Sequence, residues 1–229
     1  MDLRLFGGDI NRIRALAQEL VGLHPDIIMT ESTPATVALQ LETRTMALSR
    51  GSRPGGNVTG FAGNEDSLGG KWLELLSEIA PLKRAAVMFN PDTAPASTYM
   101  PSFETAARLL KVVPIIAPVH SDVEIEAAII ALGREPGTGL VVLAEPFTVA
   151  HRASIMLAAA RNNVPAVYCE SVFARDGGLL SYGPDLVDPF RRAATYALRE
   201  AQFRFHPRHR AGRPCQAGIF ASSSGSRKA

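Results

Sequence analysis

The feature that most constrains the fold is an alternation between segments with helical periodicity and short runs of β-branched and apolar residues. This alternation is typical of βαβ units, in which crossover helices join parallel strands. It is most regular in the second half of the chain, with predicted strands at 84–89, 112–118, 139–144 and 165–170 and predicted helices at 97–110, 122–132 and 148–162. The pattern predicts an α/β fold with a parallel sheet.

A shorter series of the same kind lies near the start of the chain. A first helix is predicted over residues 11–23, because four apolar residues share one helical face: Ile13, Leu16, Leu20 and Val21. A strand is predicted at residues 26–30. Ser32 and Pro34 then begin a second helix, since Ser is a favoured N-cap residue and Pro suits the first helical position.

Two stretches depart from the alternation. Residues 43–54 contain no convincing strand where the next one is due. After a strand predicted at 179–183 and a helix predicted at 188–200, residues 201–229 hold six of the 24 Lys and Arg residues and none of the 22 Asp and Glu residues. That last segment has almost no periodic apolar residues, so we expect a disordered basic tail. No nucleic-acid-binding motif accompanies it.

Candidate ligand-binding residues lie in the loops that follow the predicted strands, because open parallel sheets bind ligands at the carboxyl ends of their strands. These candidates are Ser32, Thr33, Asn90, Ser97, Glu145, Phe147 and Tyr168. Hydroxyls and amides near helix N-termini suit an anionic ligand group, a carboxylate suits an ammonium, and aromatic rings suit apolar groups. Each residue also has a structural interpretation as a helix cap, a turn residue or a core aromatic.

Signatures of catalysis, metal binding and cofactor binding are not recognised. There is no Gly-x-Ser-x-Gly elbow, and Gly70-Lys71 does not fit the phosphate-loop pattern. The histidines His24, His120 and His151 are scattered without metal-ligand spacing. The sequence therefore predicts a protein that is not an enzyme and that binds no cofactor and no metal.

Several short motifs, taken together and in order, resemble one family. They are Ser32-Thr-Pro-Ala, Arg53-Pro-Gly-Gly-Asn-Val-Thr-Gly-Phe61, Gly70-Lys-Trp-Leu-Glu-Leu-Leu, Phe89-Asn-Pro and Gly177-Gly-Leu-Leu-Ser-Tyr-Gly-Pro184. The combination resembles the ABC transporter substrate-binding proteins, in the group related to binders of tryptophan and other aromatic amino acids. The resemblance covers roughly residues 2–200. It implies a type I periplasmic-binding fold of two Rossmann-like lobes.

The resemblance also implies a mechanism and partners. A small organic solute, such as an amino acid, binds in the cleft between the lobes, and hinge closure produces the form that membrane permease subunits engage. Ser32 and Thr33 are then expected on the wall of the first lobe, and Asn90, Glu145 and Tyr168 on that of the second. No nucleic-acid partner is implied.

The family pattern divides the chain into four parts: residues 1–60 as an incomplete N-terminal lobe, 61–176 as the C-terminal lobe, 177–200 as a crossover strand and helix returning to the first lobe, and 201–229 as the tail. Compared with that pattern, the sequence lacks a signal peptide, a first strand and a first helix, a strand near 44–52, and the closing strand and helix. We therefore expect a truncated copy with a poorly stable first lobe. Whether it is a non-functional remnant stays open.

Two alternatives remain beside this interpretation. A cytoplasmic ligand-sensing domain can use the same fold, although no helix-turn-helix segment is recognised next to it. An α/β enzyme using Glu145 or Asn90 is disfavoured, because no partner base, metal cluster or cofactor loop accompanies them. Family resemblance implies a periplasmic location, whereas the first residues lack the features of a secretory signal and by themselves predict the cytoplasm.

Overall fold

The computed structural model describes residues 2–5, 9–25, 27–30, 32–43, 47–49, 58–60, 65–94, 96–184, 191–195 and 217–221. Within these ranges the chain forms two five-stranded sheets whose neighbouring strands are all parallel. It divides into two compact units, Met1–Gly63 with Asp185–Ser223, and Asn64–Pro184 with Ser224–Ala229. The predicted α/β fold is confirmed. No described helix is long and apolar enough to cross a membrane.

The strands are, in chain order, β1 (Asp2–Leu5), β2 (Ile27–Thr30), β3 (Ala47–Ser49), β4 (Val58–Gly60), β5 (Arg84–Phe89), β6 (Val113–Pro118), β7 (Thr138–Val142), β8 (Ala166–Tyr168), β9 (Leu180–Ser181) and β10 (Ala217–Ala221). The helices are α1 (Ile10–Gly22), α2 (Thr33–Glu42), α3 (Leu68–Ile79), α4 (Met100–Leu110), α5 (Asp122–Gly133), α6 (Pro146–Ala150), α7 (Arg152–Arg161) and α8 (Ser171–Arg175). The first sheet has the order β1-β10-β2-β3-β4, and the second has the order β6-β5-β7-β8-β9.

The core of the first unit is small and is built where α1 and α2 pack together. Its buried residues are Ile13, Ala17, Leu20, Ile28, Ala35, Ala38 and Leu39, and Leu16 and Val21 pack against them. The helical face predicted for α1 is therefore confirmed. Each helix begins at a capping side chain, Asp9 for α1 and Ser32 for α2.

Two expectations about missing or disordered segments are wrong. The region near 44–52 supplies β3, and residues 217–221 of the predicted tail supply β10. At the start of the chain, α1 is the helix predicted over residues 11–23, and β1 is a strand that was not predicted. β10 lies between β1 and β2 and pairs with both. Residues 191–195 of the helix predicted at 188–200 are helical. The rest of that helix and the rest of the tail lie outside the described residues.

The physical reason for these errors is that short strands carry little local signal. β3 is Ala-Leu-Ser, which contains no β-branched residue, and β10 is Ala-Gly-Ile-Phe-Ala, which contains one. Both become strands because their backbone groups pair with strands on either side. β10 pairs with segments about 200 residues away in the sequence, and composition near residue 217 does not reveal that pairing.

The second unit is a sheet with helices on both faces. Successive strand residues alternate between two apolar clusters: Ala85, Val87 and Phe89 face one, and Ala86 and Met88 face the other. α3 and α4 contribute Trp72, Leu73, Leu76, Met100 and Phe103 to the first cluster, while α5 and α7 contribute Ile125, Ile129, Ile155, Ala158 and Ala159 to the second. Burial on both faces explains why β5 and β7 are continuous apolar runs.

The edge strand β6 is protected by its prolines. The N–H of Val113 donates to Lys83 and that of Val119 to Phe89, so odd-numbered residues of this strand point their N–H groups toward β5. Pro114 and Pro118 therefore occupy positions whose N–H groups would point outward. Because proline has no N–H, this edge offers a further strand few donors.

The segment around β9 is fastened to the second unit by backbone contacts. The N–H of Tyr182 donates to the carbonyl of Tyr168 at 2.9 Å, and the indole N–H of Trp72 donates to the carbonyl of Tyr182 at 2.7 Å. A Cβ at Gly183 would clash with the carbonyl oxygen of Cys169, so only glycine fits there. The second unit thus extends to Pro184, whereas the predicted boundary was residue 176.

Candidate functional site

The carboxyl edge of the second sheet brings together the loops that follow β5, β7 and β8. Because these strands are parallel neighbours, their carboxyl ends meet at one edge. Asn90 directly follows β5, Glu145 lies three residues after β7, and Tyr168 ends β8. Of the predicted site residues, the structure joins three by hydrogen bonds, since Asn90 and Phe147 both donate their backbone N–H groups to the carboxylate of Glu145.

Asn90 is buried and forms the corner of a tight turn. Its side-chain oxygen accepts the N–H of Asp92 at 2.8 Å, and its carbonyl accepts the N–H groups of Thr93 and Ala94. This is the Asx turn that an Asn-Pro pair favours. In the described part of the chain, the side-chain Nδ2 of Asn90 donates no hydrogen bond. The amide therefore keeps a donor group that a ligand can use.

Glu145 is a buried carboxylate with four hydrogen-bond donors around it. It accepts the N–H of Asn90 at 3.3 Å, the hydroxyl of Thr93, and the N–H groups of Phe147 at 2.7 Å and Thr148 at 2.9 Å. Its own N–H donates to the hydroxyl of Thr148, which completes a capping box at α6. Burial raises the pKa of Glu145, and the four hydrogen bonds act in the opposite direction.

Phe147 and Tyr168 both lie in the apolar cluster that α5 and α7 cover. Phe147 packs on the ring of His151 with centroids 4.3 Å apart, and Tyr168 stacks on Phe173 at 4.7 Å. Burial raises the pKa of Tyr168 to about 12. Only 7% of Phe147 and 2% of Tyr168 is exposed. Their contact with a ligand stays a prediction.

Ser97 is exposed within a 3-10 turn at Ala96–Thr98. The helix predicted to start there begins instead at Met100, and its N-cap residue Tyr99 makes no side-chain capping bond. The predicted start of this helix is wrong because a serine followed by a helical pattern resembles an N-cap, whereas Pro101 lies in the first turn of the helix. The structure does not join Ser97 to Asn90 or Glu145.

In the first unit, Ser32 and Thr33 stand at the N-terminus of α2. The hydroxyl of Ser32 accepts the N–H of Ala35 at 3.3 Å, so the predicted N-cap is confirmed. Thr33 is exposed at the first helical position. Thr30, at the end of β2, was missed: it is 3% exposed, and its hydroxyl has no hydrogen-bond partner in the described part of the chain.

Two histidine–carboxylate pairs lie at the carboxyl edge of the second-unit sheet. His120 Nδ1 lies 3.2 Å from Glu124, and His151 Nδ1 lies 2.9 Å from Asp122. The hydrogen bond from His151 lowers the pKa of Asp122, and the backbone hydrogen bond from His120 lowers that of Glu124. Among the described residues, no group of three or more His, Cys, Asp or Glu side chains is placed to hold a metal ion.

The contacts that define the site were partly visible in the sequence. Thr148 follows Glu145 by three residues, which is the spacing of a capping box. Thr93 follows Asn90 by the same spacing, which is the spacing of a turn. Neither spacing indicates that Glu145 and Asn90 belong to one cluster, because 55 residues separate them in the chain.

The family model for the ABC transporter substrate binding protein matches residues 6–199. Among solved structures, a conserved domain protein from Vibrio cholerae has a TM-score of 0.74 at 19% identity, covering 92% of this chain and 73% of that one. The ABC domain from Streptococcus pneumoniae in complex with L-Trp has a TM-score of 0.73 at 16% identity, covering 93% and 75%. A periplasmic sugar-binding protein from Legionella pneumophila has a TM-score of 0.59 at 15% identity, covering 92% and 83%. No curated protein matches the sequence.

Proposed function

Because the chain belongs to the ABC transporter substrate-binding protein family and has the type I periplasmic-binding fold, we propose that it binds a small organic solute through the carboxyl edge of the second-unit sheet. The solute is bound and released unchanged, without catalysis. Amino acids are the class to test first, since the similar Streptococcus pneumoniae domain is described in complex with L-Trp.

The observation that carries the proposal is the amide of Asn90. Its oxygen is used by the turn, its nitrogen is not used in the described part of the chain, and only 6% of the residue is exposed. An amide nitrogen that donates to no protein group is available to donate to a ligand oxygen. Asn90 is thus a donor for a carboxylate or carbonyl of the solute.

Described by itself, the first unit also presents groups that suit an anion. Thr33 presents a hydroxyl at the N-terminus of α2, where the helix carries partial positive charge, and the hydroxyl of Thr30 is buried without a partner in the described residues. The Oγ of Ser32 is already used in capping. Thr30, Ser32 and Thr33 are therefore the residues of the first unit to test for binding of a carboxylate.

Titration calorimetry of the purified protein with the twenty amino acids, short carboxylic acids and sugars tests the proposal. Asn90→Asp keeps the oxygen that accepts from Asp92 but removes the donor. We expect the affinity for any solute that binds to fall at least about tenfold, since a lost hydrogen bond of about 1.4 kcal/mol has that effect and the new carboxylate repels an anionic group of the solute. The exposed Asn11→Asp on α1 is the matched control and should leave the affinity unchanged.

The outcomes separate the competing interpretations. Saturable binding with the solute recovered intact supports a binding protein, whereas a converted solute identifies an enzyme. If Asn90→Asp leaves the affinity unchanged, the solute binds somewhere other than this edge of the sheet. Absence of binding across the panel supports the remnant interpretation.

The proposal extends to the partner and the location. Members of this family deliver solute to the permease subunits of an ABC importer, which places them outside the cytoplasmic membrane in the periplasm. Fractionation of cells that express the natural gene tests the location, and recovery in the cytoplasm would favour a ligand-sensing role.

A further inference from the structure

Glu145 bridges two loops that follow different strands of the second unit. The loop after β5 supplies the N–H of Asn90 and the hydroxyl of Thr93, and the first turn of α6 supplies the N–H groups of Phe147 and Thr148. Oε1 accepts from Asn90 and Thr148, and Oε2 accepts from Thr93 and Phe147. Each carboxylate oxygen therefore holds one donor from each loop.

Stability alone does not account for a carboxylate in this place. Glu145 is 6% exposed, all four of its donors are neutral, and no charged group contributes to the shift of its pKa. The net shift is upward, so burial of the ionised form outweighs the hydrogen bonds to it. A buried charge of this kind is costly for the fold, and what it secures is the relative position of the two loops.

We propose that Glu145 is a positioning residue: its carboxylate fixes the loop that carries Asn90 against the start of α6, so that the amide of Asn90 is held ready for the solute. Glu145 itself does not contact the solute, because both of its oxygens are occupied by protein donors. This inference rests on the proposed function of Asn90.

Glu145→Gln separates this role from simple packing. The amide has nearly the same shape but keeps a single oxygen. Its NH₂ group must therefore face either the N–H groups of Asn90 and Thr148, or the hydroxyl of Thr93 and the N–H of Phe147. One bridging oxygen is lost, while the cost of burying a charge disappears as well. We therefore expect little change in the midpoint of thermal unfolding but a loosened loop. Glu126→Gln, at an exposed position on α5, is the matched control.

Hydrogen exchange measured by NMR reports directly how well the backbone N–H groups of the loop are protected, and it needs no ligand. In Glu145→Gln the N–H groups that lose their acceptor, either those of Asn90 and Thr148 or that of Phe147, should exchange about tenfold faster, which corresponds to the loss of one hydrogen bond each. The N–H groups of β7 should stay unchanged. Equal exchange in wild type and variant would overturn the proposal. So would an equal acceleration throughout the second unit, which would indicate general destabilisation.

The pH dependence of loop protection distinguishes a positioning residue from a purely structural one. Because its folded pKa is raised, Glu145 contributes more stability below pH 4.5 and loses that contribution as the pH rises through its folded value. Loop protection should follow the opposite course and fall on acidification, since protonation removes an acceptor. Other titratable groups lie on adjoining elements: Asp92 with His120, Asp122 with His151, and Glu170. Wild type and Glu145→Gln share these groups. In the variant, residue 145 does not titrate, so it should contribute no pH dependence to the protection of the loop.

Ligand chemistry distinguishes positioning from contact. With L-tryptophan and its deaminated analogue indole-3-propionate as probes, Glu145→Gln should weaken both by the same factor of about ten. A loss confined to L-tryptophan would show that Glu145 binds the ammonium and would overturn the proposal. If wild type binds neither probe, the proposed function fails for this class of solute, and the exchange measurements alone decide on the loop.

Discussion

At the scale of single residues, the link between Asp122 and His151 ties the start of α5 to the residue before α7. The two side chains are 2.9 Å apart, and this hydrogen bond is the largest cause of the lowered pKa of Asp122, followed by that of Ser154. Asp122 is largely exposed, with 57% of its side chain accessible. Such a pair contributes about 0.2–1 kcal/mol.

This lowered pKa fixes the sign of a pH effect. A carboxyl group whose folded pKa is depressed stabilises the fold above its unfolded value, here 3.8, and loses that contribution as the pH falls through the folded value. We expect Asp122→Asn to reduce the free energy of unfolding at pH 6 by about 0.2–1 kcal/mol, and by less as the pH falls below about 4.

Urea unfolding at a series of pH values measures this difference. Glu126→Gln, on the exposed side of the same helix, should show a difference near zero throughout. If the loss of unfolding free energy in Asp122→Asn stayed constant from pH 6 to pH 3, the hydrogen bond to His151 would not be its source.

Individual residues also show how much of the site the sequence alone could predict. The carboxyl edge of the sheet and two of its central residues, Asn90 and Glu145, follow from the position of loops after strands. The role of Glu145 does not follow, because the donors Asn90 and Thr93 are 55 and 52 residues away in the chain. Only the folded chain brings those donors to one carboxylate.

At the scale of elements, one hydrogen bond links α3 to the β9 segment, and Leu180 packs against the apolar cluster that α3 helps to form. Trp72 is 2% exposed, its ring packs against Tyr99, and its indole N–H donates to the carbonyl of Tyr182 at 2.7 Å. Trp72→Phe keeps an aromatic ring but leaves that carbonyl without its donor. We expect the free energy of unfolding to fall by about 1–3 kcal/mol.

Circular dichroism in urea measures this loss, since the variant contains no tryptophan to provide a fluorescence signal. Tyr182→Phe is the matched control, because it changes the partly exposed ring and leaves the carbonyl in place. If both variants unfolded at the same urea concentration as wild type, the hydrogen bond would contribute nothing to the β9 segment.

Elements also differ in how readily they can be predicted. β5 and β7 were predicted because burial on both faces requires an unbroken apolar run, and such a run is visible in the sequence. β3 and β10 were missed because the neighbouring strands, rather than their own side chains, determine that they are strands. Local pattern is thus informative where an element is fully buried and long.

At the scale of the whole molecule, the first unit depends on β10, which lies between β1 and β2. Ile219 is paired in register with Leu3 on one side and Met29 on the other. Proline at position 219 removes a backbone N–H from the ladder and is poorly tolerated inside a sheet. We expect Ile219→Pro to destabilise the first unit and to leave the second intact.

Hydrogen–deuterium exchange with mass spectrometry tests this expectation within one sample. Peptides that contain β2 should exchange at least about tenfold faster in the variant, which corresponds to about 1.4 kcal/mol or more. Peptides that contain β5 serve as the internal reference and should be unchanged. Unaltered protection of β2 would show that the first sheet does not need β10.

The placement of β10 has a consequence for the order of events during synthesis. α3 to α8 and their sheet are complete once residue 184 has left the ribosome, and a unit with local crossovers of this kind can fold at that point. The first sheet must wait until residue 221 has been made, with β1 and β2 unjoined in the meantime. The part of the protein that is translated first is therefore the part that finishes folding last.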